Sequence, residues 1–103
     1  MSALGNDAVA VETRGNVMLV TINRPEARNA VNAQVHEGVG DALAAADRDP
    51  EIRCVIVTGA GDKSFCAGAD LVALSRGESL VPADKAKQSW GFGGIVSHAI
   101  SKP

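Results

Sequence analysis

The sequence lacks the features that would direct it to a membrane, a secretory route or nucleic acid. No apolar run approaches the roughly 18–20 residues that a spanning helix needs. The first residues carry no basic stretch followed by an apolar one, so no secretory leader is expected. Cysteine is scarce. Cys54 and Cys66 stand alone, without Cys-x-x-Cys spacing, and both are expected to be reduced, which points to the cytoplasm. With His36 and His98 they match no zinc spacing, so no metal is expected. Lys and Arg number 10 against 12 Asp and Glu. Without a basic stripe, nucleic acid is not an expected partner. No internal repeat is found. A chain of 103 residues allows one domain at most. At that length roughly 60–68% of the unfolded surface can be buried, enough for a small core. Its 46% hydrophobic and 21% charged content is that of an ordinary globular protein.

What is present centres on Cys54 to Leu71. Cys54-Val55-Ile56-Val57-Thr58 is short, continuous and β-branched, and is expected to be a strand buried on both faces. Gly59-Ala60-Gly61-Asp62 breaks it. A small-residue turn follows, Phe65-Cys66-Ala67-Gly68-Ala69-Asp70-Leu71, in which Asp70 can cap a short helix over Leu71 to Leu74. Strand, glycine turn and helix start in this order present backbone N–H groups where negative charge is stabilised.

Upstream, Met1 to Asp7 is small and polar and is expected to fray, which sets a flexible tail over residues 1–8. Val9, Val11 and Thr13 alternate with Ala10, Glu12 and Arg14. Gly15-Asn16 then turns the chain into Val17 to Ile22, predicting a hairpin. Pro25 ends the second strand. Asn32 suits a helix N-cap, and Val35, Val39, Ala42, Leu43 and Ala46 recur at helical spacing until Asp49-Pro50. Gly38 and Gly40 weaken that helix by up to about 1 kcal/mol each unless they serve close packing. Residues 75–88 are polar and interrupted by Gly77 and Pro82, which predicts a mobile surface loop. Ile95, Val96, Ala99 and Ile100 predict a short helix, and Ser101-Lys102-Pro103 a lead into a strand.

Two of these stretches carry a resemblance. Asn23-Arg24-Pro25-Glu26-Ala27-Arg28-Asn29-Ala30 and Phe65-Cys66-Ala67-Gly68-Ala69-Asp70-Leu71, in this order and with a helix and a strand between them, resemble the enoyl-CoA hydratase/isomerase (crotonase) family from about Val9 to Pro103. The resemblance implies an α/β fold, a crotonase-like spiral of repeated β-β-α turns (the ClpP/crotonase fold), with residues 1–103 as the N-terminal part of one domain. It implies enoyl-CoA hydratase activity, water adding across a trans-2-enoyl-CoA. The Ala69 N–H would be one of two oxyanion donors. Ala27, Arg28, Ala67, Gly68, Asp70, Leu71 and Val72 would contact coenzyme A, Arg28 at a phosphate as a fixed donor fork. Trp90 and Phe92 would wall the acyl pocket. Coenzyme A enters as part of the thioester substrate, so no cofactor is implied. The full-length protein is expected to form a homotrimer or hexamer without membrane contact.

The second oxyanion donor and the glutamates that activate water match nothing in these residues, so the chain alone is expected to be inactive, and insoluble through exposed apolar faces. Rival readings stand beside this one. Another family reaction is open, an isomerase or, on the Trp90-Gly-Phe-Gly-Gly94 run, a crotonobetainyl-CoA hydratase-like activity. So is a non-catalytic acyl-CoA-binding homologue, or a truncated product. Ordinary roles compete at each position: a cap for Asp70, a solvated charge for Arg28, core packing for Trp90 and Phe92. Gly59-Ala-Gly61 is not completed as a dinucleotide fingerprint, since position 64 is Ser. Cys66 has no evident base. Glu37, Asp41, Asp47, Asp49 and Glu51 form a solvated acidic face.

Overall fold

The computed structural model describes residues 4–103. The hairpin forms as the alternation predicts. Strand β1 (Val9–Arg14) pairs antiparallel with β2 (Val17–Ile22), Val9 opposite Ile22, around Gly15-Asn16. Helix α1 (Ala33–Arg48) crosses the sheet and returns the chain to β3 (Cys54–Gly59), which runs parallel to β2 with Val17 opposite Cys54. The strand order is β1-β2-β3. One β-β-α turn and the strand after it are therefore in place.

The core lies between the sheet and α1. Met18, Val20 and Ile22 are the buried alternate residues of β2, and they meet Val35, Val39, Ala42, Leu43 and Ala46. Each fully buried Val, Leu or Ile stabilises by roughly 1.5–3 kcal/mol. Asn32 caps α1, its side-chain oxygen accepting from Val35 N at 3.0 Å. Gly38 and Gly40 serve packing. A Cβ at Gly40 would overlap the Trp90 ring, and one at Gly38 would meet the Val9 side chain.

Four expectations change. Strand β3 is not buried on both faces. It is the sheet edge, with Val55 and Val57 against the core and Ile56 half exposed. The alternation of side chains across a strand leaves the outer set uncovered when only one face meets a helix. Among the described residues its outer edge takes one bond, Val55 N donating to the Pro103 carbonyl at 2.9 Å. The flexible tail expected over residues 1–8 is packed from Leu4 onward. Leu4 packs on the core, Ala8 is buried, and the Asn6 amide donates to the Gln34 carbonyl at 2.9 Å; Met1 to Ala3 lie outside the described residues. After α2 (Leu71–Ser75), the stretch expected to be a loop contains α3 (Lys85–Gln88), capped by Asp84. The helix expected near Ile95 to Ile100 is instead a tight turn, Phe92–Gly94, followed by irregular chain. Positive φ at Gly91, Gly93 and Gly94 prevents a regular helix from starting there.

Exposed apolar side chains are numerous for so small a unit, among them Phe65, Leu71, Val72, Phe92 and Val96.

Candidate functional site

The site is built where two irregular stretches lie side by side. Ser64 Oγ and Ala67 N both donate to the Arg28 carbonyl, at 2.8 and 3.0 Å. Val31 N donates to the Gly68 carbonyl at 2.7 Å, and Asp70 N to the Val31 carbonyl at 2.9 Å. This is a one-bridge parallel ladder, Val31 against Ala69. In such a ladder Val31 bonds the residues flanking Ala69, so the N–H and C=O of Ala69 itself point to the opposite side. Among the described residues the Ala69 N–H has no acceptor. Gly68 sits at φ +93°, a conformation that L side chains rarely adopt, and so lets the chain present Ala69 in this way.

The upstream stretch is held by Asn29. It is 1% exposed and adopts a left-handed φ of 58°. Its side-chain oxygen accepts from Arg24 N at 2.9 Å, and its amide donates to the carbonyls of Ala60 and Ser64 at 3.0 and 2.8 Å. One buried amide thereby joins the turn after β2 to the start and the middle of the loop after β3. Arg24 is turned inward. Its guanidinium donates to the Ala30 carbonyl at 2.7 Å and pairs with the Asp70 carboxylate at 2.9 Å. Asp70 also caps α2 by accepting from Ala73 N at 3.0 Å. That backbone bond, then the bond from Arg24, holds the Asp70 carboxyl below its usual range.

The residues expected to contact ligand separate into groups. Ala67, Gly68 and Ala69 form the ridge just described. Ala27, Asp70 and Val72 line a polar cleft of about 300 Å³ together with Asn32 and Arg76. Asp70 has its carboxylate and its N–H already satisfied, so the structure gives it the cap role. Arg28 is exposed at φ 54°, and among the described residues its guanidinium has no partner. Leu71 projects outward at 74% exposure, and the Val72 side chain is also largely exposed.

Beside the ridge lies an apolar cleft of about 160 Å³. Ile22, Val31, Val35 and Val39 line it, with Phe65 and Phe92. Pockets for drug-sized ligands run to roughly 300–1,000 Å³, so this one fits only the end of a molecule. Phe92 lines this cleft, and Trp90, expected beside it at the acyl wall, does not. Trp90 stacks on His98 at 4.6 Å between ring centres and faces His36 at 6.4 Å, against Gly40 of α1. The groove left by glycine accepts a flat ring, and that contact draws Trp90 away from the cleft. No carboxylate lines the cleft.

Sequence reasoning passed over Asn29, the Arg24–Asp70 pair and buried His36. Asn is one of the few residues that tolerates left-handed backbone, and its place at the end of a Pro-initiated turn was the available signal.

A family model of enoyl-CoA hydratase/isomerase matches residues 12–92. The chain belongs to the enoyl-CoA hydratase/isomerase family. A solved carnitinyl-CoA hydratase from Mycobacterium avium is 61% identical and superposes with a TM-score of 0.89 over 95% of this chain and 37% of that one. An enoyl-CoA hydratase, EchA19, from Mycobacterium tuberculosis is 49% identical over 72 residues, 70% of this chain and 26% of its own length. A carnitinyl-CoA dehydratase from Proteus mirabilis is 36% identical over 99 residues, 95% of this chain and 36% of its own. The chain thus spans 26–37% of the length of these relatives, and its fold is the crotonase fold. Among the described residues no helix is long and apolar enough to cross a membrane, and no group of acidic, His or Cys side chains could hold a metal.

Proposed function

We propose that the protein carrying this chain is an enoyl-CoA hydratase that uses the Ala69 N–H as one oxyanion donor. The observation that supports it is the Ala69 N–H, without a partner among the described residues and held between two bonded neighbours. Adding water to a trans-2-enoyl thioester puts hydroxide on the β-carbon and charge on the thioester oxygen, until a proton reaches the α-carbon. A fixed donor aimed at that oxygen stabilises the enolate-like transition state, and loss of one such donor costs about 100- to 1,000-fold in rate. The second donor and the acid–base glutamates belong, on the family resemblance, to segments outside residues 1–103. Residues 1–103 alone are then inactive.

Coenzyme A reaches the ridge as part of the substrate, and no further cofactor is required. Arg28 takes a phosphate. The backbone near Ala27, Ala67, Gly68, Asp70, Leu71 and Val72 receives the rest, with the carbonyls of Ala67 and Ala69 unpartnered among the described residues. The acyl end enters the cleft beside Phe92. We place the protein in the cytoplasm, with Cys54 and Cys66 free, and as a homotrimer or hexamer at full length. A second reading is favoured by the 61% identity to a carnitinyl-CoA hydratase: the substrate is the carnitinyl thioester.

The test is hydration of crotonyl-CoA and dehydration of carnitinyl-CoA, side by side, with the full-length protein and with Ala69→Pro. Proline removes the donor and breaks no internal bond of the described residues. Turnover of the preferred substrate falls at least about 100-fold. Near-normal turnover in a folded variant removes Ala69 from the site.

A further inference from the structure

The Arg24–Asp70 pair flanks the proposed donor and lines the polar cleft, not the apolar one proposed for the acyl group. Both side chains are nearly buried, 18% and 10% exposed. One guanidinium joins the Ala30 carbonyl, next to the Val31 that bridges Ala69, to the carboxylate of Asp70, next to Ala69 on the other side. The same carboxylate starts α2. Arg24 is itself fixed through its own N–H by Asn29. Two short stretches from opposite ends of the unit are thereby cross-linked one residue before and one residue after the donor's bridge.

A buried ion pair is a poor source of stability, because desolvating both charges offsets their attraction. It is better suited to fixing one arrangement. Donors for a developing oxyanion must be held within about 0.5 Å, and a misplacement of about 1 Å can cost 100-fold in rate. Resting on the proposal that Ala69 N–H is an oxyanion donor, we infer that Arg24 and Asp70 are positioning residues that set the direction of that N–H. Their side chains contribute to enolate stabilisation, while coenzyme A meets the backbone of Asp70 and not its carboxylate.

Acetoacetyl-CoA separates these effects, since its enolate has its own near-ultraviolet absorbance and forms without the catalytic glutamates. The full-length protein is titrated with acetoacetyl-CoA and with coenzyme A alone. Asp70→Asn keeps an oxygen for Ala73 N, so α2 stays capped, while the charge is lost. Arg24→Lys keeps the charge and loses the fork. The expected result is a bound-enolate signal, and a crotonyl-CoA kcat, lowered roughly 10- to 100-fold in Asp70→Asn and by less in Arg24→Lys. KM and affinity for coenzyme A stay within about twofold. Unchanged enolate absorbance and kcat in folded Asp70→Asn overturn the inference, and a lowered melting temperature with full enolate signal assigns the pair a structural role only. Wild-type protein that binds acetoacetyl-CoA with no enolate signal instead overturns the Ala69 donor itself.

Discussion

Two irregular segments dock on the same β-β-α unit by opposite means. The ridge formed by residues 24–31 and 64–70 has, apart from Val31 and Phe65, mostly small or polar side chains and little apolar area to bury. It is held by buried polar bonds, through Asn29 and the Arg24–Asp70 pair. The segment from Lys85 to His98 docks through shape. Trp90 lies in the groove at Gly40 and stacks on His98, with the His36 Nε2–H donating to the Lys87 carbonyl at 2.7 Å and Lys87 reaching Glu37 at 2.9 Å and Asp41 at 3.2 Å. Directional bonds fix where an N–H points, whereas a packed ring fixes only where a segment lies. The ridge, where an N–H must be aimed, uses the first device. The wall that carries Phe92 uses the second.

Breaking the polar anchor has the largest expected effect. Asn29→Ala strands the Arg24 N–H and the carbonyls of Ala60 and Ser64, and places Ala in left-handed backbone. Denaturant unfolding should show a loss of about 3–5 kcal/mol. A loss under about 1 kcal/mol would mean that water replaces the amide, and the contrast between the two segments would fail.

Trp90→Ala should cost about 3 kcal/mol, as for other large aromatics removed from packed sites. If the two docking devices are independent, the Asn29→Ala and Trp90→Ala losses add within about 0.5 kcal/mol. A larger coupling energy would join them into one network.

The pH dependence of the ridge comes next. The Asp70 carboxyl is held low by Ala73 N and then by Arg24, so the native state binds this proton less readily than the unfolded state. The stabilisation is present above the ordinary carboxylate range and is lost as pH falls through the lowered native value. Asp70→Asn should remove that part of the acid sensitivity in a melting-temperature profile. An unaltered profile would transfer the acid sensitivity to other carboxylates such as Asp47, also held low by Ser101.

The smallest effect is at Lys87. Glu37, then Asp41, raise its pKa, so its contribution is present below the ordinary lysine value of 10.5 and is lost as pH rises through the raised one. The pair is partly exposed, and Lys87→Met should cost no more than about 1 kcal/mol. A loss as large as that of Trp90→Ala would show that charge and not shape docks this segment.

Local chemistry made the regular elements legible. Val9 to Ile22 alternates about a two-residue turn, Asn32 caps α1, and Asp70 caps α2, each by interactions within a few residues. The spacing of Gly68 and Ala69 before a capping Asp was also readable, because φ > 0 and a helix start are local demands. The burial of β3 was not, since a β-branched run has the same composition whether one or both faces of its sheet are covered, and only what packs on the outer face tells the two apart. Trp90 was misplaced for a similar reason: an aromatic beside a predicted pocket and an aromatic over a helix glycine look alike until Gly40 is brought under it.

By itself the sequence determined the hairpin, the capped helices α1 and α2, the small-residue turn around Ala69 and the family they resemble, because these rest on backbone preferences and near-neighbour bonds. Tertiary structure alone decided that Arg24 faces Asp70, that Asn29 spans to Ala60 and Ser64, and that the Ala69 N–H has no partner among the described residues. Those pairings join residues 31 or more apart, or within a turn whose direction depends on them, and the free energy that selects each partner exists only when the sheet and α1 have brought both to one place.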